Sequence, residues 1–110
     1  MYIVYRDIKA EKDVSNLVID MFSEPSLMES ANGFIRTEIL LDKSDRYFDK
    51  IKVVSYWENK ESLKKWQTSK AHLEMHKSFR NTKYSSLDFT SIEQTFEEYE
   101  LFKVINYIHP

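Results

Sequence analysis

Ile51-Lys-Val-Val-Ser-Tyr-Trp57, running directly into Glu58-Asn-Lys-Glu-Ser-Leu-Lys-Lys-Trp66, decides the fold of this chain. The first half is dense in β-branched and aromatic residues and reads as a strand. Asn59 then signals a helix start, because its carboxamide oxygen can accept a free N–H of the first turn. Leu63 and Trp66 sit on that helix, and Ser69 can cap a further one carrying Leu73, His76 and Phe79. The strand is apolar on both faces. An antiparallel sheet with one wet face should instead alternate. The second face therefore needs a cover, and a second copy around a twofold axis is the commonest one. The reading is a homodimer whose two sheets face each other.

Working outward, Tyr2 to Ile8 is another aromatic and β-branched strand. Asp13 is expected to cap a helix whose apolar face is Val14, Leu17, Val18, Met21 and Phe22. Pro25 stops or kinks that helix, since it lacks an N–H and restricts Glu24. Leu27 and Met28 suggest one more turn. Asn32-Gly33 is a turn signal, and Gly33 is the only glycine in the chain. Phe34 to Leu41 reads as the second strand, and Asp42 to Asp49 as a polar connection turning near Lys43-Ser-Asp45. Beyond the helices, Asn81 to Asp88 is a polar loop. Ser91 to about Leu101 is a fourth strand, although its alternation is poor. The order β-α-β-β-α-β is the ferredoxin-like split βαβ arrangement of the α+β class, with helices on one face of an antiparallel sheet. With no linker, repeat or low-complexity tract, residues 1–110 read as a single domain.

Lys+Arg 16 against Asp+Glu 18 gives a net charge of -2, which argues against a general nucleic-acid role. Charge is uneven along the chain. Glu58 to Lys83 holds seven basic and three acidic residues, whereas Asp88 to the end holds five acidic residues and one Lys. A locally basic segment can hold an anionic ligand, although such runs are commonly solvated faces. No cysteine is present, so disulfide, zinc-thiolate and thiol chemistry are excluded, and a reducing cytoplasm fits. No apolar run reaches the roughly 18 residues of a membrane span, and the N-terminus lacks a signal-peptide layout.

Trp66 on one short helix, followed by His72 and His76 on the next, supplies a bulky flat wall and an axial nitrogen donor, which is what a haem pocket needs. His72 and His76 stand at i, i+4, as in a divalent metal pair. The string is His-Leu-Glu-Met-His, however, not the zinc-protease His-Glu-x-x-His, and no further ligand cluster is evident. Trp57, at a strand end, reads as structural. Met21, Met75 and Phe79 read as core or pocket lining. Arg6 shares a strand face with Tyr2, Val4 and Ile8 and is costly to bury unpaired, so it should face a cavity or pair with a carboxylate.

Asn32-Gly33-Phe34 opening the second strand, Ser55-Tyr-Trp57 closing the third, Leu63-Lys-Lys-Trp66, and Ser69-Lys-Ala-His72 leading to His76-Lys77 together resemble the antibiotic-biosynthesis-monooxygenase superfamily. Within it, the chain is similar to the small haem-degrading monooxygenases. The resemblance covers residues 1 to about 80 and implies a dimeric α+β barrel. It implies haem as both substrate and cofactor, an external electron donor, and a reductase among the partners. It places His76 as the ligand to haem iron and Trp66 as the wall that bends the porphyrin. The family's first-strand Asn, which hydrogen-bonds near the iron, falls here on Arg6. An Arg carries donors only and a permanent charge, so it could bind a propionate or stabilise negative charge on oxygen, but it cannot act as an amide. Arg6, Trp66 and His76 are thus the expected catalytic and cofactor-binding residues. The expected activity is oxidative haem degradation with release of iron. Two alternatives stand beside it: a cofactor-free monooxygenase acting on a small aromatic or quinone-like molecule, and a non-catalytic dimer that binds haem or another small hydrophobic ligand.

Overall fold

The computed structural model describes residues 1–24, 26–80 and 92–106, with side chains for all of these except 76–80. The expected order of elements is present. Strand β1 (Tyr2–Glu11) leads into helix α1 (Lys12–Ser23), and a 3-10 turn (Leu27–Ser30) precedes strand β2 (Phe34–Asp42). Strand β3 (Phe48–Trp57), helices α2 (Lys60–Gln67) and α3 (Lys70–Arg80), and strand β4 (Glu93–Glu100) follow. The four strands form one sheet in the order β2-β3-β1-β4, with every neighbouring pair antiparallel. This is the α+β, ferredoxin-like architecture. The polar loop expected between α3 and β4 lies outside the described residues.

Local chemistry accounts for most boundaries. Asn59 accepts the amide of Ser62 at 2.8 Å and starts α2, and Ser69 accepts that of His72 at 3.1 Å and starts α3. The start of α1 differs from expectation. Its N-cap is Glu11, which makes no side-chain cap bond, so Asp13 lies inside the first turn. The anchoring comes from the sheet instead. Asp49 on β3 accepts Lys12 Nζ at 2.7 Å and Ser15 Oγ at 2.6 Å, and both Asp49 and Ser15 are buried. β3 also starts earlier than the sequence suggests, because Phe48, Asp49 and Lys50 pair with Glu11, Ala10 and Lys9.

The register sorts side chains onto two faces. Tyr2, Val4, Arg6, Ile8 and Ala10 of β1 share the helix-covered face with Ile51, Val53, Ser55 and Trp57 of β3. Two separate hydrophobic clusters fill this face. Under α1, Ile8, Ala10, Val18 and Ile51 are buried, with Val14, Phe22 and Val53 packed around them. Under α2 and α3, Trp57, Leu63 and Trp66 are buried, with Tyr2, Val4, Met28, Phe34 and Met75 around them. The opposite face carries Ile3, Tyr5, Leu40, Val54, Tyr56 and Tyr99, mixed with Lys9, Lys50 and Lys52. Leu40 is 52% and Tyr99 51% exposed on it. Beyond β4, Phe102, Val104 and Ile105 are also exposed.

Candidate functional site

The expected site residues lie on the helix-covered face, around the boundary between the two clusters. Trp57 is fully enclosed, with Phe34 edge-on at 5.4 Å and its indole N–H donated to Ser55 Oγ at 3.3 Å. It is structural, as its position at a strand end suggests. Trp66, on the last turn of α2, is only 6% exposed and packs with Trp57 and Leu63. The sequence reading missed its other neighbour. The His72 ring lies 5.1 Å from the Trp66 ring, with His72 Nδ1 3.0 Å from the Gln67 carbonyl oxygen. The i, i+6 spacing across the α2–α3 corner was the available signal. Met75 packs on the same cluster. His76 lies one residue further along α3, and its side chain is outside the described set.

Arg6 packs against aromatic rings rather than beside a carboxylate among the described residues. Its guanidinium carbon lies 5.0 Å from the centre of the Phe22 ring on α1 and 4.8 Å from that of Phe96 on β4. It is half-buried, and this burial pulls its pKa below the ordinary arginine value. Among the described residues no carboxylate or carbonyl pairs with it. Of the acids on β4, Glu97 lies on the opposite face, where it accepts from Tyr99, and Glu98 interacts with the Tyr2 hydroxyl and helps to raise its pKa. Each cation–π contact contributes roughly 0.5–2 kcal/mol. Neither supplies the in-plane acceptors that five N–H donors require. Another polar atom on this face is also incomplete: Thr37 Oγ1 on β2 is buried with no hydrogen-bond partner among the described residues.

These positions can be related by strand geometry. Val4 packs on the Trp66 cluster, and Arg6 is the next residue of β1 on the same face, about 7 Å further on. A planar ligand lying along this face would have the α2–α3 aromatic cluster at one end and the Arg6 cation at the other. Two depressions of about 480 and 450 Å³ lie away from it. The first is at the corner of β1 and α1, near Lys12, Arg46 and Tyr47, and the second is along strand positions that include Leu40, Lys50, Lys52 and Thr95. Among the described residues no group of three or more His, Cys, Asp or Glu is placed to hold a metal ion.

The fold is that of a small ferredoxin-like domain, with Trp66, His72 and Arg6 associated with the helix-covered side of its sheet. The chain belongs to the antibiotic biosynthesis monooxygenase family, whose model matches residues 1–78. A heme-degrading monooxygenase of Halalkalibacterium halodurans is 32% identical over 76 residues, covering 69% of this chain and 66% of that protein, just under two thirds of its length. Heme-degrading monooxygenase HmoA of Bacillus subtilis is 27% identical over 77 residues, covering 70% and 71%. Among solved structures, an antibiotic biosynthesis monooxygenase-type protein of Bacillus cereus superposes with a TM-score of 0.75 at 21% identity, covering 99% of this chain and 98% of the other. No helix among the described residues is long and apolar enough to cross a membrane.

Proposed function

We propose that this protein is a haem-binding monooxygenase that oxidatively degrades haem and releases iron, acting as a homodimer in the cytoplasm with residues 1–110 as one domain. The observation that carries the reading is the pairing, on one sheet face, of the α2–α3 aromatic cluster with the Arg6 cation, which has no acceptor among the described residues. The names borne by the relatives agree with it. Haem, as substrate, brings the iron centre at which oxygen chemistry occurs, with electrons from an external donor. The residues fit that substrate: an arginine with no in-plane acceptor among the described residues suits a propionate, and an imidazole-bearing helix suits iron. In this reading His76 is the iron ligand, and Trp66, braced by Trp57 and His72, fixes the inclination of the α2–α3 corner against the ring. Arg6 stands in the place of the family's Asn and holds negative charge. Leu40, Tyr56 and Tyr99 on the other face of the sheet meet the second copy.

Absorption titration of the apo-protein with haemin tests the assignment. The parent is expected to develop a saturable Soret band, with His76→Ala shifting its position and weakening binding at least tenfold. A parent with no saturable band, or a variant with an unchanged spectrum and affinity, refutes it. A second reading, a cofactor-free monooxygenase of a small aromatic or quinone-like molecule, draws on the enclosure of Trp66. At 6% exposure, this indole offers little surface to a ring as large as a porphyrin.

A further inference from the structure

We propose that Arg6 anchors a carboxylate of the bound ligand, so that the site selects planar aromatic acids over the same ring systems in neutral form. This deepens the reading above and rests on the same pocket face. Three observations meet here. Arg6 is half-buried, with its guanidinium carbon 5.0 Å from the centre of the Phe22 ring and 4.8 Å from that of Phe96. Contact with two phenyl rings engages none of its N–H groups as in-plane donors, which leaves them for a planar, bidentate acceptor. On the same sheet face, the neighbouring β4 acid Glu98 interacts with the Tyr2 hydroxyl, whose pKa it helps to raise. Of the four glutamates of β4, Glu93 and Glu97 fall on the opposite face, and among the described residues none of the four forms an ion pair with Arg6.

Access and reach agree with this. Phe96 is 59% exposed, so the guanidinium is approached over the β4 side of the sheet and is not sealed in the core. The spacing along β1 from Val4, which touches the Trp66 cluster, to Arg6 is about 7 Å. A fused aromatic ring system with a carboxylate at its margin spans that distance. A propionate-bearing porphyrin and a quinone-type aromatic acid share this chemistry. The role is one of binding and orientation: the ligand's anionic edge at Arg6 would set which edge of the ring faces α3.

The test compares free acids with their esters. The parent, Arg6→Gln and Arg6→Lys are titrated with haemin and haemin dimethyl ester, and with anthraquinone-2-carboxylate and its methyl ester. Far-UV circular dichroism confirms folding. For the parent, esterification is expected to weaken binding at least tenfold. Arg6→Gln is expected to lose at least tenfold for the acids and little for the esters, so that the two forms bind alike. Arg6→Lys should recover part of the loss. Should Arg6→Gln not fold, the acid-to-ester ratio of the parent still decides. Haemin bound without acid-to-ester discrimination overturns the anchor while the haem reading survives. Haemin unbound, with the anthraquinone acid bound in an Arg6-dependent way, removes the haem reading and supports the anchor. Neither acid binding overturns the anchor and the haem reading together.

Discussion

Gly33→Ala is the substitution whose cost is best separated into parts. Gly33 adopts φ +86°, in the left-handed region, and its carbonyl accepts the amide of Glu58 at 2.8 Å as the chain leaves β3 for α2. A Cβ built there would lie 2.5 Å from Ser62 Cβ and closer still to its hydroxyl, where ordinary contact begins near 3.4 Å. The left-handed backbone costs an L-residue roughly 1–2 kcal/mol. Forcing α2 and the β2 entry apart by most of an ångström adds about 1–3 kcal/mol, as in overpacked cores. The reduced freedom of the unfolded chain returns about 0.4–1 kcal/mol. The net expectation is a loss of roughly 2–4 kcal/mol in urea unfolding followed by circular dichroism, read as a lower midpoint at unchanged slope. The two parts separate in a double-mutant cycle. Ser62→Gly removes the obstructing atoms, so the double variant should recover about 1–3 kcal/mol relative to additivity, leaving the backbone part. A Gly33→Ala loss below about 0.5 kcal/mol, or strict additivity with Ser62→Gly, refutes the close approach.

Two further outcomes follow from other parts of the molecule. The Asp49 carboxyl is held below the ordinary range by its hydrogen bonds from Lys12 and Ser15. Its stabilisation is therefore complete above the unfolded carboxyl value of about 3.9 and is lost as pH falls through the lower folded value. Asp49→Asn should be less stable than the parent at pH 7, with the gap closing in acid below pH 4; a gap unchanged at pH 2 in denaturant titrations counts against the pairing. Leu40→Glu, at a position already half exposed in the single chain, should leave the fold intact yet give monomers in light scattering where the parent gives dimers. A dimeric Leu40→Glu protein, or a monomeric parent, rejects the sheet face as the contact surface.

Features determined by neighbours in sequence were legible; those determined by distant partners were not. Asn59 and Ser69 cap their helices because a short polar side chain two or three residues ahead of a free amide needs nothing else. The alternation of Tyr2, Val4, Arg6 and Ile8 placed Arg6 on the correct face, because the period of two is a property of the strand itself. The start of α1 was misread at Asp13, since Lys12 and Ser15 are held by Asp49, more than thirty residues away. The surroundings of Arg6 were equally invisible. Phe22 comes from α1 and Phe96 from β4, and only the sheet order brings both to β1. The contact of His72 with Trp66 depends on the break at Thr68 and Ser69, where α2 ends and α3 turns back.

The division of the helix-covered face into two clusters has a consequence for motion. Each cluster is a closed packing unit of its own, one beneath α1 and the other beneath α2 and α3, and the central strands β1 and β3 are their common floor. Opening one unit need not melt the other, so native-state hydrogen exchange has a structural reason to fall into two tiers over an enduring sheet. A flat molecule admitted along the boundary would then draw only on the local reserve of the aromatic unit, while α1, latched to β3 through Asp49, keeps the scaffold in register.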